Sequence, residues 1–158
     1  MALDSELESA KRAAVAAGAL QLTRRGADKV DLKPDASPVT EVDRKCEALI
    51  RGELARGFPD DGFLGEESGQ NDGRSGRTWI VDPLDGTRPY IRGIVTHAVL
   101  IALMDAAGPA LGVIHLPAMQ LTCWATRGGG AFCNGVRARV SRTRSIETAV
   151  GSGLGFLQ

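Results

Sequence analysis

Asp82-Pro83-Leu84-Asp85-Gly86-Thr87 limits the folds open to this chain more than any other segment, because it follows directly on the apolar run Trp79-Ile80-Val81. An extended strand here delivers two carboxylates at its C-terminal end. Pro83 fixes its own φ and removes a backbone donor, so the chain is expected to turn and bring Asp85 back beside Asp82. Upstream, Gly65-Glu66-Glu67-Ser68 repeats the arrangement after the short apolar run Phe63-Leu64. Two strand ends that deliver carboxylates to one place make a site for hard divalent cations, which take oxygen ligands. The carbonyl of Leu84, between the two aspartates, is a further oxygen donor. Gly86 permits close backbone approach, and if a helix begins here the amides of Gly86 and Thr87 face an anion such as a phosphate.

The rest of the composition narrows the class. With 158 residues, 43% of them hydrophobic, the chain suits one domain with a real core. Basic and acidic residues balance at 19 each, and nucleic-acid binding needs a dominant basic face. The late cluster Arg137, Arg139, Arg142 and Arg144 reads as a solvated surface. Cys46, Cys123 and Cys133 are odd in number and lack Cys-x-x-Cys spacing, which points to neither a zinc site nor a disulfide framework and fits a reducing cytoplasm. The N-terminus is charged and amphipathic and no run reaches membrane-spanning length, so a soluble, unprocessed protein is expected.

Periodicity places the elements. Ser5-Glu6-Leu7-Glu8 has the form of a capping box, followed by Leu7, Ala10, Ala14, Val15, Gly18 and Leu22 on one helical face, with Gly26 as a stop. Residues 26–38 read as a loop or a short hairpin. Thr40 caps a second helix with Val42, Cys46, Leu49, Ile50 and Leu54 on its apolar face, ending near Gly57 and Pro59. Strands are expected at 62–65, 78–82, 97–104, 111–115, 121–126, 131–133 and 137–140, with hairpin turns at 105–108 and at Asn134-Gly135. Two helices followed by consecutive strands imply an α+β fold, an antiparallel sheet layered with helices.

Gly-Glu-Glu-Ser at 65–68 together with Trp-Ile-Val-Asp-Pro-Leu-Asp-Gly-Thr at 79–87 resembles the inositol monophosphatase superfamily of magnesium-dependent, lithium-sensitive phosphatases. The likeness extends to Pro38-Val39-Thr40-Glu41-Val42-Asp43 and to the Gly-rich hairpin at 128–135, in family order from about Lys33 to about Val140. It implies that Glu66, Asp82 and the Leu84 carbonyl hold one Mg2+, and that Asp82 and Asp85 hold a second. By the same resemblance Thr87 and Asp43 orient and deprotonate the attacking water, and Glu67 acts on a further water of the metal site. Asp85, Gly86, Thr87 and Lys33, on a loop that closes over the site, meet the substrate. The substrate implied is a small phosphate monoester. Arg88-Pro89-Tyr90-Ile91-Arg92-Gly93 followed by 97–103 is similar to members acting on histidinol phosphate, with inositol phosphates as the equal alternative.

The resemblance also sets a boundary. The family supplies another metal-ligating aspartate from a Trp-Asp segment in its second half, whereas Trp79 and Trp124 here precede Ile80 and Ala125. Residues 1–145 are then the N-terminal metal- and phosphate-binding subdomain, with 146–158 opening a truncated second one. A catalytically incomplete metal-binding member is the alternative reading. Apolar surface around Val99, Ile101, Val113 and 149–151 is expected to be left open and to drive homodimerisation.

Taken alone, several of these residues have plainer explanations. Asp43 in a first helical turn complements the dipole, and Asp-Pro-x-Asp-Gly is an ordinary turn sequence. His97 and His115 lie inside apolar runs and read as hydrogen-bonded core residues. Gly128 to Gly130 read as a turn, since no Lys-Ser/Thr follows as a P-loop requires. A phosphatase with an aspartyl nucleophile needs Asp-x-Asp after an N-terminal apolar strand, and none is present.

Overall fold

A computed structural model describes residues 3–24, 30–32 and 38–150. Helix α1 (Asp4–Arg24) buries a stripe of small residues, Ala10, Ala13, Ala14 and Ala17, and ends it with Gln21. Alanines spaced by three and four let α1 lie close against α2 (Glu41–Gly57). This stripe is rotated from the expected face: Val15 and Leu22 stand outside it, 48% and 44% exposed. The capping box expected at Ser5 does not form, because the helix already begins at Asp4 and the Ser5 hydroxyl bonds Glu6 instead. Gly26 lies outside the described residues.

Strands β1 (Val30–Leu32) and β2 (Pro38–Thr40) form a small antiparallel pair leading into α2. Thr40 caps α2 as expected, and Val42, Cys46, Ile50 and Leu54 form its buried face. An eight-stranded sheet follows, built from β3 (Gly62–Gly65), β4 (Gly69–Asn71), β5 (Thr78–Asp85), β6 (Ala98–Asp105), β7 (Gly108–Leu116), β8 (Leu121–Thr126), β9 (Gly130–Cys133) and β10 (Val136–Ala138). A short helix α3 (Thr87–Ile91) separates β5 from β6. The order across the sheet is β10-β9-β8-β7-β6-β5-β3-β4.

The fold class is α+β, but the sheet is mixed. All of its neighbouring pairs are antiparallel save β3 and β5, which run parallel. The reason is β4, whose polar Gly-Gln-Asn carries no strand signal: it folds back on the outer side of β3, so the chain re-enters on the inner side in the original direction.

Both long helices pack on one face of the sheet. Val81, Val99, Ile101, Leu103 and Val113 point into this layer and are at most 3% exposed. The expectation that Val99, Ile101 and Val113 stand open is therefore corrected. Strand alternation gives the open face to their neighbours Ile80, Leu100, Ala102 and Ile114, which line a shallow apolar hollow of about 500 Å³ with Ala125, Ala131 and the Cys123–Cys133 pair.

The cysteine reading is also corrected. Cys123 and Cys133 are direct partners across β8 and β9 and form a disulfide. Their spacing of ten has no motif, yet the register of this hairpin brings these two positions face to face, so the cysteine count no longer argues for a reducing compartment. No helix among the described residues is long and apolar enough to cross a membrane.

Candidate active site

The parallel pairing of β3 and β5 does what an antiparallel one cannot: it puts two C-terminal strand ends side by side. Gly65 is in register with Val81, and the Glu66 amide donates to the Val81 carbonyl at 3.2 Å, extending the pairing one residue further. Glu66 thereby comes beside Asp82, and the two carboxylates share a hydrogen bond. Burial, then the Glu66 charge and its hydrogen bond, then the Asp85 charge push the Asp82 carboxyl up to about 7, against the lowering effect of the Leu84 amide on Oδ1 at 3.1 Å.

Beyond Asp82 the strand bulges where a turn was expected. Asp82 faces Leu100 and Asp85 faces Ala98, so three steps on β5 match two on β6. Pro83 is tolerated because an amide is not needed inside the bulge. Its carbonyl is held from the far side of the core by Gln21 Nε2 at 2.9 Å, and Gln21 Oε1 meets His97 Nδ1 at 2.8 Å. Tyr90 donates to the Gln21 carbonyl at 3.0 Å and sets its ring edge against His97. His115 Nδ1 meets the Thr122 hydroxyl at 2.9 Å. Both histidines are buried structural residues, as expected.

The turn itself comes at Gly86, whose φ of 84° and ψ of 44° lie in the left-handed region. A Cβ there would also stand 3.1 Å from the Thr96 carbonyl. The reversal starts α3 and aims Thr87 back at α2. Thr87 Oγ1 lies 3.1 Å from Asp43 Oδ1 and 3.2 Å from the Leu84 carbonyl. Asp43 is buried, and its Oδ2 accepts from the Thr40 amide at 2.8 Å and the Thr40 hydroxyl at 2.6 Å. One side chain thus makes both contacts: one oxygen closes a capping box, the other meets Thr87.

Glu66 and Asp82 adjoin at the C-terminal ends of β3 and β5, with the Asp85 charge acting on Asp82, while Thr87 joins the Leu84 carbonyl to Asp43 at the N-terminus of α2. Glu67 lines a separate recess of about 240 Å³ with Arg44, Glu47, Ala48, Arg51 and Ser68. Lys33 lies outside the described residues. Among the described residues no three His, Cys, Asp or Glu side chains gather at one point. The donor set nonetheless suits a hard cation. Two adjoining carboxylates that retain a proton near neutrality mark a place where a positive charge is favoured, and every donor is oxygen.

Sequence reasoning missed Glu47 and Gln21. Glu47 accepts the Glu67 and Ser68 amides at 2.7 and 2.8 Å. Its signal was available: it falls among Asp43, Cys46, Ile50 and Leu54 on the buried face of α2, where a carboxylate needs partners. Gln21 gave a weaker signal, a polar residue closing an alanine stripe.

A sheet with this mixed order, two helices on one face and acids at the ends of its parallel pair defines a class shared with known proteins. The family model for the inositol monophosphatase family matches residues 3–154. The chain is 47% identical to a histidinol-phosphatase of Mycobacterium tuberculosis over 114 residues, covering 72% of this chain and 44% of that protein. It is 44% identical to an inositol-1-monophosphatase of Mesorhizobium japonicum over 131 residues, 82% of this chain and 49% of that protein. The crystal structure of an extragenic suppressor protein from Bartonella henselae superposes with a TM-score of 0.85 at 39% identity, over 89% of this chain and 56% of that one. This chain belongs to the inositol monophosphatase family. It spans about half the length of the curated relatives it matches.

Proposed function

We propose that the chain carries the metal- and phosphate-binding half of a Mg2+-dependent phosphatase that hydrolyses a small phosphate monoester. The observation that carries this reading is the Glu66–Asp82 pair, brought together by the parallel strands and retaining a proton near pH 7. Glu66, Asp82, the Leu84 carbonyl and Asp85 hold Mg2+, which supplies charge neutralisation at the phosphate oxygens and lowers the pKa of water.

The remaining chemistry belongs to the chain's own groups. With its one hydrogen directed to Asp43, the Thr87 hydroxyl can accept a hydrogen from a water on a lone pair and aim that water at phosphorus. Asp43, fixed on its other oxygen by Thr40, takes the relayed proton. Backbone amides of Gly86 and Thr87 seat the phosphate, Asp85 meets the substrate, and Glu67 and Lys33 serve as an outer acid and a closing cation. Histidinol phosphate is the first candidate substrate, supported by relatives of that name and the continuation at 88–93, with an inositol phosphate second. Pro89 and Tyr90 in that continuation are buried, so any specificity in it comes from exposed Arg88 and Arg92. Residues 146–158 begin a second subdomain in this reading.

A second reading, a metal-binding member without turnover, is favoured by Trp79 and Trp124 preceding Ile80 and Ala125, so that neither supplies the family's further Trp-Asp ligand. Phosphate release from histidinol phosphate and inositol 1-phosphate, with and without Mg2+, separates the two. Mg2+ is expected to raise the melting temperature of the chain and to lose that effect in Asp82→Asn, since a ligand selective for the folded state stabilises it by mass action. An equal Mg2+ shift in Asp82→Asn removes the assignment.

A further inference from the structure

Helix α2 carries two buried carboxylates one turn apart, Asp43 at 2% exposure and Glu47 at 3%. Residues four apart share a helix face, so both point toward the strand ends. Asp43 engages the loop after β5 through Thr87. Glu47 engages the turn after β3: Oε2 accepts the Glu67 amide at 2.7 Å and Oε1 the Ser68 amide at 2.8 Å. The Glu66 amide is tied separately to Val81. Three successive amides are thus fixed, and the Glu66 side chain leaves the backbone between the first two of them. Charge-assisted bonds to a buried carboxylate are among the stronger hydrogen bonds, and they are what makes burial of Glu47 tolerable.

Gly65 completes the arrangement. A Cβ on Gly65 would stand 2.5 Å from the Glu47 carboxyl carbon and 2.5 and 2.6 Å from its oxygens. Its φ is not among the positive ones, so Gly65 gives space for the Glu47 carboxylate and not backbone freedom.

We propose that Glu47 is a positioning residue for the metal site, holding the Glu66 carboxylate in place through the Glu67 and Ser68 amides, and that Gly65 is glycine to admit it. The role rests on the metal-site reading above, since it places a ligand of that site. Loss of a group that orients a metal ligand lowers affinity by roughly 10- to 100-fold.

Amide hydrogen exchange of the metal-free chain and Mn2+ binding followed by electron paramagnetic resonance test this on Glu47→Ala, Glu47→Gln, Gly65→Ala and the double variant Glu47→Ala/Gly65→Ala. In Glu47→Ala the Glu67 and Ser68 amides should exchange about 100-fold faster, with the Leu103 and Val113 amides unchanged, and Mn2+ should bind about tenfold more weakly. Glu47→Gln keeps one acceptor and the shape, and should release one of the two amides. Gly65→Ala should reproduce the Glu47→Ala pattern, and the double variant should lose no more than either single one, because both act on the same contact. Unchanged exchange at both amides overturns the proposal, as does unchanged Mn2+ affinity in variants of a chain that binds it, or additive losses in the double variant. Failure of the unsubstituted chain to bind Mn2+ overturns the metal reading, whereas the exchange rates still decide whether Glu47 holds the turn.

Discussion

In the proposed mechanism Thr87 serves the proton and Asp82 the cation. Thr87 Oγ1 is bonded to the Asp43 carboxylate and to the Leu84 carbonyl. Thr87→Ala is therefore expected to lower turnover by about 100-fold or more while leaving Mg2+ affinity within about twofold. Equal losses in steady-state turnover and in calorimetric Mg2+ binding count against its assignment to the water. For Asp82 the sign of the pH effect follows from its raised value. Between 3.8 and about 7 the folded chain keeps a proton that the unfolded chain has released, so this group's contribution to stability falls as pH rises through that window. His115 acts in the opposite sense below its ordinary 6.5, because burial holds it low. The measurement is therefore a difference: without metal, the melting temperature of the unsubstituted chain minus that of Asp82→Asn should decline from acid to neutral pH. A flat difference removes the raised value.

At the scale of elements, the loop after β5 is shaped by one extra residue and one left-handed glycine. Gly86→Ala places a side chain at φ 84° and 3.1 Å from the Thr96 carbonyl. The conformation alone costs about 1–2 kcal/mol, and the relaxed loop should carry Thr87 away from Asp43. Denaturant melts of Gly86→Ala should show at least this loss, and an undiminished stability shows that α3 does not need the reversal. The strands were legible because their apolar runs alternate or run continuously: β3 and β8 fall where the pattern puts them, and β6 and β7 within a few residues. The hairpin turns at Gly108 and Asn134-Gly135 match their residues, with positive φ at each. By contrast β4 was invisible, since three polar residues become a strand only by borrowing hydrogen bonds from β3. The extension of β5 to Asp85 was hidden by Pro83, which reads as a stop unless a bulge absorbs it.

On the scale of the whole molecule, the sheet is covered by helices on one side and presents Ile80, Leu100, Ala102, Ile114 and the Cys123–Cys133 pair on the other. Ile114 is 45% exposed and Ile80 38%. An apolar face of this kind favours association, so the chain is expected to sediment as a homodimer or larger assembly, and Ile114→Asp to shift it toward the monomer. A monomeric unsubstituted chain at all concentrations tested ends this expectation.

The sequence alone determined the family, the acids at strand ends, the two long helices and most of the strands, because acids clustered at strand ends and apolar periodicity are local signals. It could not determine which face of an alternating strand meets the helices, since both faces of β6 and β7 are apolar. Nor could it reveal that β3 and β5 run parallel or that Cys123 meets Cys133. Those follow from register and from the path of β4, which are settled only when every strand competes for neighbours at once. The same holds for Glu47: its partners are two backbone amides, which carry no residue-specific signal, 20 and 21 positions away. Only the packing of α2 against the end of β3 brings them together.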